Sequence, residues 1–466
     1  MTPSILWFRQ DLRLADNPSL HAALESGPVL PVYVLDDAAA EEWAPGGAQR
    51  WWLHHSLAAL AADLAARGAP LLLLRGDAAT LLPHLAGTIG AGSVHAGRMY
   101  EPWARRRDEA VHHALAETGR KLTLHSATLL HEPHRLRTGQ GKPYSVFTPF
   151  SRAVFALGEP APPLPVPDRI ASVASPLDPL ALEGLDLLPR PPIPEWWSEF
   201  PDHWQPGEAG AARRLARLTP ELLAAYPARR DIPGEDATSA LSPHLRFGEV
   251  SPRQVWHAAR EAGAAGEHTF LKEVLWRDFS YHLLWHRPEM PQTALQSKFG
   301  EFPWRPDSRL LAAWQQGRTG YPIVDAGMRQ LWRTGWMHNR VRMVAASLLV
   351  KHLLQPWQHG EAWFWDTLVD GDLASNAASW QWVAGCGADA APYFRVFNPV
   401  LQGEKFDPEG SYVRRWVPEL AGVPGRFIHK PWEAPRPPAG YPAPIVEHGR
   451  GRERALAAYA ALRDEG

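Results

Sequence analysis

The 466 residues carry 48 Lys and Arg against 50 Asp and Glu, so the chain is no polycation, and any nucleic acid it binds must meet a local basic surface. The single cysteine, Cys386, excludes an intrachain disulfide and a cysteine-cluster metal site, and between glycines it reads as a small packing residue. The length allows two or three domains; with no apolar run long enough for a bilayer and no secretory signal, a cytoplasmic protein is expected.

In chain order, segments 4–8, 29–35, 71–75, 93–96 and 122–125 read as buried strands. Between them, 18–25, 49–67, 78–85 and 103–118 place apolar residues at helical spacing. That alternation predicts an α/β domain over 1–130, built on a doubly wound, Rossmann-like parallel sheet. Its first strand runs into Arg9-Gln-Asp-Leu-Arg without glycines, so a nucleotide held by the usual glycine turn is not expected there, nor a nicotinamide-dependent dehydrogenase. Residues 131–206 are proline-rich, densest at 160–167 and 189–194, and read as a long interdomain linker. From 207 to 466 strand patterns vanish. Helices are expected over 209–225, 252–262, 269–286, 325–334, 339–354 and 360–368, with an amphipathic closing helix at 450–463, which makes this an all-α domain.

Several segments carry polar groups in patterns that chemistry uses. Glu273, Trp276 and Arg277 fall at i, i+3 and i+4 and share a helix face, as would also be true of a surface Glu–Arg pair. Asn339, Arg342, Met343 and Ala346 line another face, opposite Val341, Val344, Ala345 and Leu348. Asp370 and Asp372 flank Gly371 ahead of a helical run, where a capping role is favoured over metal binding. Asn376 shares a face with Trp380, whereas Trp382 points about 200° away, so the two indoles cannot serve one purpose. The hydroxyl-rich stretch from Asp236 to Gly248 is able to cradle a phosphate without a P-loop, although such stretches are usually only turns. His282 and His286 have metal-ligand spacing but no third ligand nearby, and no metal is expected. The 22 tryptophans are several times the usual number; most are expected in the core, but indoles also pass single electrons.

Taken together, these segments resemble the photolyase/cryptochrome family. The resemblance begins at Leu6-Trp-Phe-Arg-Gln-Asp-Leu-Arg-Leu-Ala-Asp-Asn-Pro and continues through Lys142-Pro-Tyr-Ser-Val-Phe-Thr-Pro-Phe. It is densest from Thr319-Gly-Tyr-Pro to Asn398-Pro-Val-Leu-Gln-Gly-Glu-Lys-Phe-Asp. It implies a helical domain that binds FAD, reduced in the working protein. By resemblance, Thr238, Ser239, Ala240, Leu241 and Ser242 hold the phosphates, with Tyr226, Phe270 and Arg277 nearby. Arg342, Asp370, Gly371 and Asp372 lie beside the flavin, and Asn376 faces its N5. Trp380, Trp357 and Trp304 match an electron-transfer chain to the surface.

The same resemblance implies light-driven repair of cyclobutane pyrimidine dimers in DNA by a monomer without membrane contact. Glu273, Trp276, Asn339, Met343 and Trp382 match a lesion pocket, Glu273 working best as a protonated acid. Arg230, Arg340, Arg395 and Gln402 match DNA contacts. Asn339 and Met343 stand where (6-4)-repairing relatives carry histidines, and the chain reads as class I. Trp103 and Ala104 replace an Asn–Glu pair of folate-antenna relatives, so a second chromophore of deazaflavin, FMN or folate type stays open. A photoreceptor and a flavin electron-transfer protein are the rival readings; no long C-terminal tail is seen.

Overall fold

A computed structural model describes residues 2–188, 196–389 and 394–462; the proline-dense piece 189–194 and Arg463 lie outside the described residues. Five strands form one sheet: β1 (Ser4–Phe8), β2 (Val29–Leu35), β3 (Leu72–Arg75), β4 (Ser93–Gly97) and β5 (Lys121–His125). The order is β3-β2-β1-β4-β5 and every pairing is parallel. Helices cover both faces, which is why β1 and β2 are buried along their whole length and, after Ser4, read as near-continuous apolar runs. Side-chain caps start two of those helices, Asn17 on Pro18–Ser26 and Asp77 on Ala78–Ile89.

After β5 the described residues are helical or irregular, and three segments differ from expectation. The helix expected over 209–225 is two, Glu208–Leu215 and Pro220–Arg229. Pro220 supplies no amide and disfavours a helical Thr219, which instead caps the second helix. The helix expected over 339–354 ends at Ser347, continues as a π-helical turn Leu348–His352, and stops at Leu354 with φ 54°. The stretch read as a linker holds a helix, Phe147–Ala156, whose Pro149 sits in the first turn where no intrahelical amide bond is lost. The closing helix is His448–Ala461, capped by Glu447.

The two halves are tightly joined. Helix Gly47–Ala65 packs on helix Trp357–Thr367, with Gln49 Nε2 donating to the Trp365 carbonyl at 2.7 Å. Trp52 Nε1 donates to buried Glu249 at 2.9 Å, and the buried Arg13 guanidinium donates to the Gly248 carbonyl at 2.9 Å. Gly248 has φ +68°, and a Cβ there would stand 2.0 Å from the Gln10 carbonyl oxygen, so only glycine permits this approach. Eleven of the 22 tryptophans are buried, as large core residues. Cys386 is fully buried, which pushes its thiol up to about 12 and makes it inert packing.

Candidate functional site

Three segments meet behind the helix Leu373–Ala384. Arg342, on helix Asn339–Ser347, donates through Nη2 to both carboxylate oxygens of Asp370, at 2.8 and 3.1 Å. Its Nε is held by the Met337 carbonyl at 2.7 Å, so the guanidinium is fixed from both ends. Ser242 Oγ donates to Asp370 at 2.7 Å and ties in the hydroxyl stretch, where Ala240 has φ 51°. Asp372 caps the helix by accepting from Ser375 N at 2.8 Å, and also accepts from Tyr281 OH at 2.6 Å. Gly371 lies between the two aspartates; a Cβ there would fall 2.6 Å from Gln49 Nε2.

Asn376 is one turn further along, 9% exposed, with Nδ2 donating to the Glu361 carbonyl at 3.0 Å. That bond leaves the amide oxygen for a ligand. Thr238 and Ser239 are half-buried and Leu241 buried, beside Tyr226 and Phe270, whose rings meet edge to face at 5.3 Å. Arg277 points to the domain junction, donating to the Thr128 carbonyl and lying 3.9 Å from Asp372.

A second group sits on the outer side. Glu273 does not pair with Arg277; its partner is Arg230, from helix Pro220–Arg229's C-terminal end, and Arg230 also lies 5.3 Å from the Tyr226 ring. The pair joins the helix Glu267–His286 to the end of the helix Pro220–Arg229. Trp276 is half-buried, one face stacked on Phe147 at 3.7 Å and 7°. Trp382 is half-buried with Nε1 donating to the Asp389 carbonyl at 2.9 Å. Asn339 is exposed and Met343 half-buried. Nearby, a cavity of about 430 Å³ is lined by Arg340, Arg395, Lys405, Gln402, Asp231 and Phe406. Arg340 crosses it, bonded to Asp231 at 2.6 Å and 4.4 Å from the Phe406 ring. Three cations against one acid give this cavity a basic lining.

The indoles divide as their spacing predicts. Trp380 is buried against Phe364 (5.0 Å, 64°) and Trp314 (6.1 Å, 69°), lying across Gly360. Trp357 is buried in the same core, with Trp304 packed on its edge against Phe302 at 4.3 Å. His282 is structural: its Nε2 accepts the Tyr144 amide at 2.9 Å, and burial lowers it to about 4.

The donor set fits FAD: hydroxyls and an arginine for phosphate, an aspartate–arginine pair and an amide for a heteroaromatic edge. Trp336 Nε1 and Glu361 Oε1 are buried there without a partner. Arg246, Gln49, Glu361 and Phe147 are not singled out by the sequence; Arg246 lies in the hydroxyl-rich stretch and Phe147 in the Lys142–Phe150 stretch, but neither carries a pattern of its own that marks it. Where the strand order reverses, buried Arg9 and Arg107 both lie over the Trp7 ring, at 4.5 and 4.7 Å, with Arg9 paired to Asp108.

Residues 4–168 match the family described as DNA photolyase, and 270–461 match the FAD binding domain of DNA photolyase. Deoxyribodipyrimidine photo-lyase of Agrobacterium fabrum is 50% identical over 99% of this chain and 98% of its own. Cryptochrome-1 of Arabidopsis thaliana is 38% identical over 95% of this chain and 68% of its own. A crystal structure of a bacterial class III photolyase from Agrobacterium tumefaciens superposes with TM-score 0.95 at 49% identity, covering 100% of this chain and 98% of the other. An archaeal photolyase from Sulfolobus tokodaii, solved with two FAD molecules, superposes with TM-score 0.85 at 29% identity, covering 99% and 100%. The class III relative does not support the class I reading: Asn339 and Met343 were weighed against (6-4) repair, which does not sort dimer-repair classes from one another. Among the described residues no helix is long and apolar enough to cross a membrane.

Proposed function

The chain belongs to the photolyase/cryptochrome family, and on that premise we propose that it is a class III photolyase that splits cyclobutane pyrimidine dimers in DNA under light, using bound reduced FAD. The observation that carries this reading is the full-length match to a deoxyribodipyrimidine photo-lyase at 50% identity. Reduced FAD supplies a single electron on excitation.

The chain's own residues do the rest. Thr238 to Ser242, with Tyr226, Phe270 and Arg277, form the cofactor's outer wall. The Arg342–Asp370 pair, Gly371, Asp372 and Asn376 hold its reactive edge. Trp380, Trp357 and Trp304 relay electrons inward from the surface. A dimer inside duplex DNA is out of reach, so it must be extruded, at a cost that damaged stacking already lowers. Trp276 offers its uncovered face and Trp382 its edge to the extruded bases, with Asn339 and Met343 alongside. Glu273 and Arg230 meet the lesion as a pair, the acid accepting and the guanidinium balancing charge. Arg340, Arg395 and Gln402 bind backbone phosphates at the basic cavity. No step passes through a second chromophore.

The test is to photoreduce the protein, add DNA with a cyclobutane dimer or a (6-4) lesion, and compare light with dark. Loss of the cyclobutane dimer alone, only in light, is expected. Protein with fully reduced FAD that repairs neither lesion would make it a photoreceptor, as its likeness to Cryptochrome-1 allows.

A further inference from the structure

Lys351 takes no part in the site as built so far, yet it borders two of its residues. It stands in the π-helical turn Leu348–His352, is 1% exposed, and among the described residues no carboxylate pairs with it. Burial pulls it well below the usual lysine range, so an amine here costs stability that an apolar residue would not. Its contacts show what the amine does. Nζ donates at 2.7 Å to the carbonyl of Ala384, the last residue of helix Leu373–Ala384, where a carbonyl has no acceptor role left within the helix. The same nitrogen lies 3.0 Å from the centre of the Phe394 ring. One turn back, Ser347 Oγ accepts from the Phe397 amide at 3.4 Å. Exposed Arg395 is therefore flanked by two residues held on this one edge. Gly385, with φ +95°, lets the groups approach: a Cβ there would stand 3.2 Å from Nζ and 3.1 Å from Phe394 Cδ2. Lys351, Ser347, Trp382, Arg395 and Phe397 line a common cavity of about 30 Å³, room for a water but not for a base. Lys351 thus reaches the lesion pocket only through Trp382 and Arg395.

We propose that Lys351 is a positioning residue for lesion recognition. It ties the end of the helix carrying Trp382 to the loop carrying Arg395. The indole that meets an extruded dimer and the guanidinium that meets its phosphate then keep a fixed separation. This rests on the photolyase reading above. A site preset in this way loses no binding free energy to ordering the two side chains when a dimer is extruded. An undamaged duplex keeps its bases stacked, never brings both residues onto one nucleotide, and gains nothing from the spacing.

The test uses full-length FAD-loaded protein reduced with dithionite, in the dark, and a fluorescent duplex with or without one cyclobutane dimer. Lys351→Met keeps the stem and removes the amine. Its affinity for the dimer duplex should fall about tenfold, the order of one hydrogen bond, with undamaged-duplex affinity and flavin content unchanged. In protein labelled with fluorotryptophan, the fluorine resonance of Trp382 is assigned by its loss in Trp382→Phe. It should be single in the wild type and broadened or split in Lys351→Met. Equal losses on both duplexes, a drop in flavin content, or wild-type selectivity in Lys351→Met overturns the proposal. So does a Trp382 resonance already split in the DNA-free wild type, a result that needs no variant to fold. Wild type that binds both duplexes alike removes the photolyase reading as well, whereas wild-type selectivity with an unaltered variant removes this proposal alone.

Discussion

Gly360→Ala tests the placement of Trp380 most directly. A Cβ built on Gly360 stands 2.1 Å from Trp380 Cη2 and 2.5 Å from Cζ2 and Cζ3. Carbon atoms pack at about 3.5–4.0 Å, so the indole or the helix must give way by roughly 1.5 Å. Trp314 and Phe364 close the other sides of the ring. Overpacking of this kind costs about 1–3 kcal/mol, and the gain from alanine in a helix returns about 1 kcal/mol. Stability should therefore fall by about 0–2 kcal/mol, with the electron relay displaced. The assay is paired: light-driven reduction of bound FAD by a thiol, and light-dependent dimer repair after chemical reduction with dithionite. The variant should be slow in the first and near wild type in the second, because Gly360 touches neither cofactor nor lesion residues other than the relay indole. A gain in Tm with wild-type photoreduction would mean Trp380 is not wedged across Gly360, and the reasoning would fail.

Asp278 is fully buried, accepting from the Leu130 and His131 amides, and burial raises it to about 7. A folded pKa above the unfolded one means the native state binds more protons between about pH 4 and 7, so this residue's stabilisation is present at low pH and lost as pH rises through 7. Asp278→Asn keeps an acceptor and should remove that dependence, seen as a wild-type-minus-variant stability difference that changes by up to about 4 kcal/mol across the window; parallel pH curves would refute it. Asp370→Ala leaves Arg342 and Ser242 without their shared partner, at a cost of about 1–3 kcal/mol. The protein should purify with less FAD per chain, and an unchanged flavin-to-protein ratio would argue against the cradle. Arg340→Ala should weaken binding to dimer-containing and undamaged DNA alike and lower the slope of log affinity against log salt by about 1, measured by fluorescence anisotropy. An unaltered slope would take the basic cavity off the DNA path.

What was legible in the sequence follows the range over which each signal acts. Strands β1 and β2 match their expected ends because both faces are buried, so all their residues but Ser4 are apolar or aromatic. The opposite directions of Trp380 and Trp382 follow from 3.6 residues per turn, and the structure buries one and leaves the other half-open. Helix periodicity sets which residues share a face, but says nothing about what that face meets. Glu273 illustrates this: its neighbour on the helix, Arg277, turns to the domain junction, and its partner Arg230 comes from 43 residues away. Trp276 finds Phe147 in a stretch whose prolines read as an extended connection. Glu361 was invisible for a further reason. A lone glutamate in a helix reads as a solvated position, and only the packing of Glu42, Asn376 and two helices around it shows that it is dry. The residues that tune a buried site are those whose sequence context looks most ordinary, because the energy that makes them unusual is set by tertiary burial rather than by their neighbours in the chain.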